Sequence, residues 1–315
     1  MTNFVQIVTT APFILTEGAV IERIRRDPTV DLDPHVANTG LVYTKEGRAA
    51  LTRIYTQYLD VGRAHNLPVI TFTPTWRANP ESLRRAGLPD VDAVNSACVR
   101  FLKSIRDGYD GYAGNILIGG LMGCLGNAYD PTDALATDEA AAFHHPQAGA
   151  LVNEGVDFLM GATLPALSEA LGMAMAMAKT GIPYILSFVL RPVGTLLDGT
   201  PLHEAVARID ATVSPCPFAY WANCVHPSIF ASALAHEVAQ DATLAARVIG
   251  LQANTSAKSP EELEGLDSLD TEAPDSFARA MVALRAQFSI KILGGCCGTD
   301  ERHIAEIAKN MAAKD

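Results

Sequence analysis

Two cysteines stand side by side in the string Lys291-Ile-Leu-Gly-Gly-Cys-Cys-Gly-Thr-Asp-Glu-Arg-His-Ile304. The apolar run Ile290 to Leu293 reads as a buried strand, and Thr299 or Asp300 can cap the amphipathic helix behind it. Cys296 and Cys297 therefore fall where a strand ends. Neighbouring side chains on a strand point to opposite faces, but Gly294, Gly295 and Gly298 free the backbone to bend and let both thiols converge on one point. Such a pair suits a metal; the competing reading is two buried strand-end cysteines or a vicinal disulfide. Asn223-Cys224-Val225-His226-Pro227 offers a further sulfur, again just beyond an apolar run, Phe218 to Ala222. Three thiolates with a fourth position left for water or substrate is the open pattern of a catalytic zinc, whereas four protein ligands close a structural one. Cys224, Cys296 and Cys297 are the candidate zinc ligands, and His226 is left to pack or hydrogen-bond at the mouth of the site.

These residues need a scaffold that brings position 224 to positions 296 and 297. The 315 residues, 49% hydrophobic and 19% charged, suit a soluble globular enzyme with a large core. Net charge is −11 and there is no Lys/Arg-rich run, which argues against nucleic-acid and anionic-membrane partners. No basic stretch followed by an apolar one opens the chain, and the most apolar helix candidate, Leu164 to Lys179, is too short to span a bilayer. The expected location is the cytoplasm, where Cys98, Cys124 and Cys216 read as core or loop residues and not as disulfide partners.

Short β-rich runs alternate with amphipathic stretches throughout. The strands expected are Pro12 to Leu15, Pro68 to Thr73, Ile116 to Gly120, Asp157 to Met160, Ile182 to Phe188, Phe218 to Ala222, Val248 to Gln252 and the Ile290 run. The main helices expected are Glu46 to His65, Val91 to Arg106, Asp138 to Glu154, Leu164 to Lys179, Leu202 to Val213, Ser228 to Gln240, Ser276 to Gln287 and Glu301 to Ala313. Eight such units, with no glycine fingerprint after the first strand, favour one α/β domain over residues 1–315, a (β/α)8 TIM barrel with its site at the C-terminal ends of the strands. A barrel brings Cys224, after strand six, to the same mouth as the pair after strand eight, with Glu17 and Thr163 facing it. Asp27 to Lys45, Gly123 to Thr137 and Asn254 to Pro274 are the loops expected around that mouth, and His144-His145 is expected to be a pair on a helix face.

The string Gly294 to Thr299, together with Asn223-Cys224, resembles the paired and upstream cysteines of the homocysteine S-methyltransferase family, which includes the betaine:homocysteine and S-methylmethionine:homocysteine methyltransferases. Ile185 to Phe188 with Gly194, Leu197, Asp198, Gly199 and Thr200 is similar to the family's fifth strand and loop, and Asp157 to Ala170 to its fourth unit. The resemblance implies a zinc-dependent enzyme of methionine biosynthesis that moves a methyl group from a small onium donor to a thiol, homocysteine or a relative, bound as thiolate on Zn²⁺. It implies substrate contacts at Glu17, Gly18, Ala19, Thr163 and Asn223. Glu17-Gly18 stands where the family usually has Asp-Gly, and Gly161-Ala162-Thr163 stands where it commonly has a Glu that holds the substrate's amino group. For the onium donor, aromatic faces at Tyr43, Phe72 and Trp76 are the candidates. Any corrinoid would come on a partner. The competing reading is a barrel that binds zinc or a thiol without turnover, or with a different specificity.

Overall fold

Strands buried on both faces and joined by helices must pair in parallel, and a parallel sheet exposes no edge only if it closes on itself. In the computed structural model, which describes residues 3–258, 262 and 270–312, it does so. β1 (Ile14–Thr16), β2 (Val69–Phe72), β3 (Ile116–Met122), β4 (Phe158–Leu164), β5 (Tyr184–Phe188), β6 (Ala219–Val225), β7 (Val248–Ala253) and β8 (Ile292–Gly295) follow one another around a closed barrel. Ile14 and Leu15 pair with Ile292 and Leu293 to complete the ring. This is the (β/α)8 barrel the alternation predicts.

The helices are α1 (Asn3–Thr10), α2 (Ile21–Arg25), α3 (Lys45–Ala64), α4 (Pro80–Arg85), α5 (Val91–Asp107), α6 (Thr137–Asn153), α7 (Leu167–Ala178), α8 (Leu202–Thr212), α9 (Pro227–Gln240), α10 (Leu244–Arg247), α11 (Pro274–Phe288) and α12 (Glu301–Ala312). None of the described helices is long and apolar enough to cross a membrane. The expected loop at 254–274 and the expected helix end at Ala313 fall partly outside the described residues.

Two cores result. The larger lies between strands and helices, and a smaller one fills the barrel with Ile14, Ile70, Phe72, Leu117, Phe158, Met160, Ile185, Trp221 and Ile292. Trp221 fits because β7 carries Gly250 beside it, where an added Cβ would lie 2.7 Å from the indole.

The N-terminal end of the barrel is plugged by α1, which the sequence pattern does not announce. Val5, Ile7, Val8, Thr9 and Thr10 are β-branched and weak helix formers, so burial decides. Phe4 stacks on Phe158 with centroids 4.3 Å apart and meets Phe218 edge-on at 5.2 Å. The Lys291 ammonium donates to the Val8 and Thr9 carbonyls at the end of the same helix.

Strand ends also differ from expectation, and at the site. β4 runs on to Leu164 and β6 to Val225, each past a register irregularity, so Thr163 and Cys224 lie within strands and not after them. Phe4→Ala should cost about 3 kcal/mol of stability, read from the urea midpoint, without changing metal content, because the plug and the cysteines lie at opposite ends.

Candidate metal and thiol site

The Sγ atoms of Cys224, Cys296 and Cys297 all lie within 4.8 Å of one another at the C-terminal mouth. Among the described residues no histidine or carboxylate joins them. Cys224 reaches the cluster through its irregular strand. With φ of 56° it sits in the left-handed region, and both it and Asn223 line the cavity instead of alternating faces.

Two buried asparagines fix this geometry. Asn223 Oδ1 accepts from Thr163 N at 2.9 Å and Ser187 Oγ at 2.7 Å, while Nδ2 donates to Thr163 Oγ1 at 2.7 Å and to Cys224 Sγ at 3.4 Å. Thr163 is itself left-handed, φ 61°, at the β4 irregularity. Asn254, one residue past β7, donates from Nδ2 to Cys224 O at 3.0 Å and accepts from Cys297 N at 3.1 Å through Oδ1. A single amide thus ties the two cysteine segments together. The pair is held further by Cys296 N to Ala253 O at 2.7 Å and Thr255 N to Cys297 O at 3.2 Å. The Thr299 hydroxyl donates to Cys296 O at 2.6 Å and accepts from Ala19 N at 3.0 Å. Gly298, with φ of 82°, turns the chain where an added Cβ would lie 1.8 Å from Thr255 Oγ1.

Beside the sulfurs lies a cavity of about 280 Å³ lined by Glu17, Gly18, Ala19, Phe72, Trp76, Tyr129, Ala162, Thr163 and Asn223. All five expected substrate residues are therefore on its wall, although Asn223 and Thr163 hold each other. Of the expected donor aromatics, Phe72 forms the floor, edge-on to Trp221 at 6.2 Å, and Trp76 a wall. Tyr43 is 47% exposed at the end of the 3-10 turn Thr39–Tyr43 and does not line the cavity, so the three are not brought together. The Arg77 guanidinium already lies over the Trp76 ring, 4.4 Å from its centroid.

Two residues that the motifs do not reveal bear on the cysteine segments. Tyr129, in the expected loop at 123–137, lines the same cavity as the three cysteines, and burial together with the charge of Cys224 pushes its phenol well above the ordinary range. Asn254 could have been found: it directly follows the strand between β6 and β8, the position from which one side chain reaches both. His226 turns to Ser228 Oγ at 2.7 Å and Glu272 Oε2 at 3.2 Å, a packing role.

The electrostatics are those of a site built for positive charge. Interaction with the Cys296 and Cys297 thiols, and the bond from Asn223, hold Cys224 well below the ordinary thiol range, while interaction with Cys224, together with burial, pushes the other two up. Glu17 is pushed up to about 8 by burial, against the opposing bonds from Thr71 Oγ1 and Phe72 N to its Oε2. No cation among the described residues pairs with it.

A family model described as homocysteine S-methyltransferase matches residues 14–311. The chain belongs to the homocysteine S-methyltransferase family. Within it, the chain is 30% identical over 193 residues to the homocysteine S-methyltransferase of Escherichia coli, an alignment covering 57% of this chain and 60% of that protein. It is 25% identical over 278 residues to the S-methylmethionine–homocysteine S-methyltransferase of Mus musculus, covering 85% and 70%. The crystal structure of the E. coli homocysteine methyltransferase MmuM in its oxidized form superposes over 100% of both chains with a TM-score of 0.79 at 21% identity, and the metallated form over 98% of this chain and 99% of that one at 0.78.

Asn254→Ala frees both cysteine segments at once, and zinc affinity should fall about 10- to 100-fold in titration against a competing chelator. Glu17 gives a pH dependence. Between about pH 4.5 and 8 the folded carboxyl keeps a proton that the unfolded one releases, so stability falls as pH rises through that window. Glu17→Gln should therefore match wild type near pH 4 and gain melting temperature over it progressively towards pH 8; parallel curves would contradict the assignment.

Proposed function

We propose that this protein transfers a methyl group from a small onium donor to the sulfur of a thiol, homocysteine or a related compound, activated at a zinc ion that Cys224, Cys296 and Cys297 would hold. The observation that carries this reading is the all-sulfur trio, joined by no histidine or carboxylate among the described residues, opening on a cavity of a small molecule's size. The donor set fits zinc. A tetrahedral ion with Zn–S near 2.3 Å spaces its sulfurs ~3.8 Å apart, within the 4.8 Å envelope of the three Sγ atoms. When bound, zinc supplies the charge that keeps a thiol deprotonated at neutral pH, where a free one with a pKa near 8.5 is only a few per cent thiolate.

The chain's own residues do the rest. Asn223 donates to Cys224 Sγ, Tyr129 lines the cavity beside the cysteines, and Asn254 keeps the Cys224 and Cys297 backbones at one separation. Phe72, Trp76, Leu121 and Ala162 give the cavity an apolar lining that sheds water from the nucleophile. Glu22 is committed to Gly298 N and Arg26, which leaves Glu17 as the carboxyl able to meet an ammonium on the acceptor. An ammonium there replaces the proton that Glu17 otherwise holds.

In the reaction the acceptor, whose thiol proton has left to solvent on activation, uses a thiolate lone pair to form the new S–CH₃ bond as the donor's bond from methyl to sulfur or nitrogen breaks. That electron pair stays on the donor, which leaves neutral at the onium centre, and no base takes part. The Mus musculus relative is named for S-methylmethionine, a sulfonium, and we extend a sulfonium donor to this chain.

Cys296→Ala should abolish zinc retention and methyl transfer together, measured by elemental analysis and by incubating the zinc-loaded protein with thiols and labelled methyl donors. A variant that keeps one zinc per chain would remove Cys296 from the ligand set. Wild-type protein that binds thiol tightly and forms no methylated product would favour the non-catalytic reading.

A further inference from the structure

Tyr129 lines the cavity of the three cysteines from a stretch, residues 123–136 between β3 and α6, that one carboxylate grips on both sides of it. Glu169, on α7, is fully buried. Its Oε1 accepts from Leu125 N at 2.7 Å, and its Oε2 accepts from Leu135 N at 3.4 Å. Oε1 also bonds the Nε2 of His144, a fully buried residue of α6, at 2.9 Å. Arg77 closes the near side by donating to the carbonyls of Cys124, Leu125 and Gly126 at 3.2, 3.0 and 2.6 Å. Between these anchors the chain turns on Asn127, whose Oδ1 accepts from Tyr129 N at 3.0 Å.

Packing of α6 on α7 does not require this pair. A buried carboxylate and histidine is costly to desolvate, and apolar side chains of similar volume usually hold helices at least as well. Among the described residues His144 Nδ1 has no hydrogen-bond partner, so the pair is not optimised for stability. What the carboxylate does that an apolar residue cannot is accept from two loop amides ten residues apart, with Tyr129 between them.

We infer that Glu169 is a positioning residue: by gripping Leu125 and Leu135, with His144 steadying its carboxylate, it sets the Tyr129 hydroxyl against Cys224 and so tunes the electron density of the cysteine cluster. The inference rests on the zinc reading of that cluster. It gives the buried histidine of the His144-His145 pair a role at the site without making it a ligand.

The test uses the full chain loaded with Co²⁺, whose sulfur-to-cobalt charge-transfer band reports the electron density on the cysteines, and metal affinity against a chelator. Tyr129→Phe removes the hydroxyl and should move the band to longer wavelength. Glu169→Ala should move it equally and add nothing in the Tyr129→Phe background, and Glu169→Gln, which keeps an oxygen for Leu125 N, should restore most of the wild-type position. Glu169→Leu with His144→Leu keeps an apolar contact between the helices. This variant should retain the wild-type melting temperature while showing the same band shift and a metal dissociation constant raised about tenfold. A band unmoved in the Glu169 variants, or one that moves further when they are combined with Tyr129→Phe, overturns the inference and leaves the zinc reading standing. Wild-type protein that takes up cobalt without a sulfur band overturns the zinc reading and the inference with it.

Discussion

Closure of the sheet, Leu15 of β1 beside Leu293 of β8, is the constraint from which the site follows. Once strand eight returns to strand one, Glu17 and Cys296 become neighbours on one rim: Gly295 N donates to Glu17 O at 3.1 Å. Residue 224 joins them because β6 is separated from β8 by one strand. Asn254, at the end of that intervening strand, spans the gap. Residues far apart in the chain therefore share a cavity through topology, with no contribution from local sequence preference.

The rim is held in a costly backbone state. Thr163 and Cys224 are left-handed without being glycine, a conformation that costs on the order of 1–3 kcal/mol at each position. Asn223 offsets that cost, since all four of its side-chain bonds go to Thr163, Ser187 and Cys224. Removing a buried partner from such a network leaves the others unsatisfied at about 1–3 kcal/mol each. The strain is placed where it turns a sulfur towards its neighbours.

Much of this was legible in the residues alone. Apolar runs of strand length between amphipathic helices gave the barrel, and a cysteine pair set in glycines at a strand end gave the cluster. The illegible parts have specific physical causes. β-branched residues in α1 hide a helix that only the barrel's floor stabilises. Tyr129 sits in a loop whose path is set by Glu169 on a later helix, and no periodicity encodes that contact. Tyr43 failed as a wall of the cavity because the 3-10 turn Thr39–Tyr43 leaves its ring half in solvent. Aromatic identity near a barrel mouth says nothing about which way the ring faces.

The plug at the opposite end orders events during synthesis. Phe4 and Val8 find their seat among Ile14, Phe158, Phe218 and Ile292, and the last of these belongs to the final strand. Because α1 is made before β8, it can dock fully only after the ring is complete, so two apolar side chains remain uncovered until then and are open meanwhile to chaperones or to a second nascent chain.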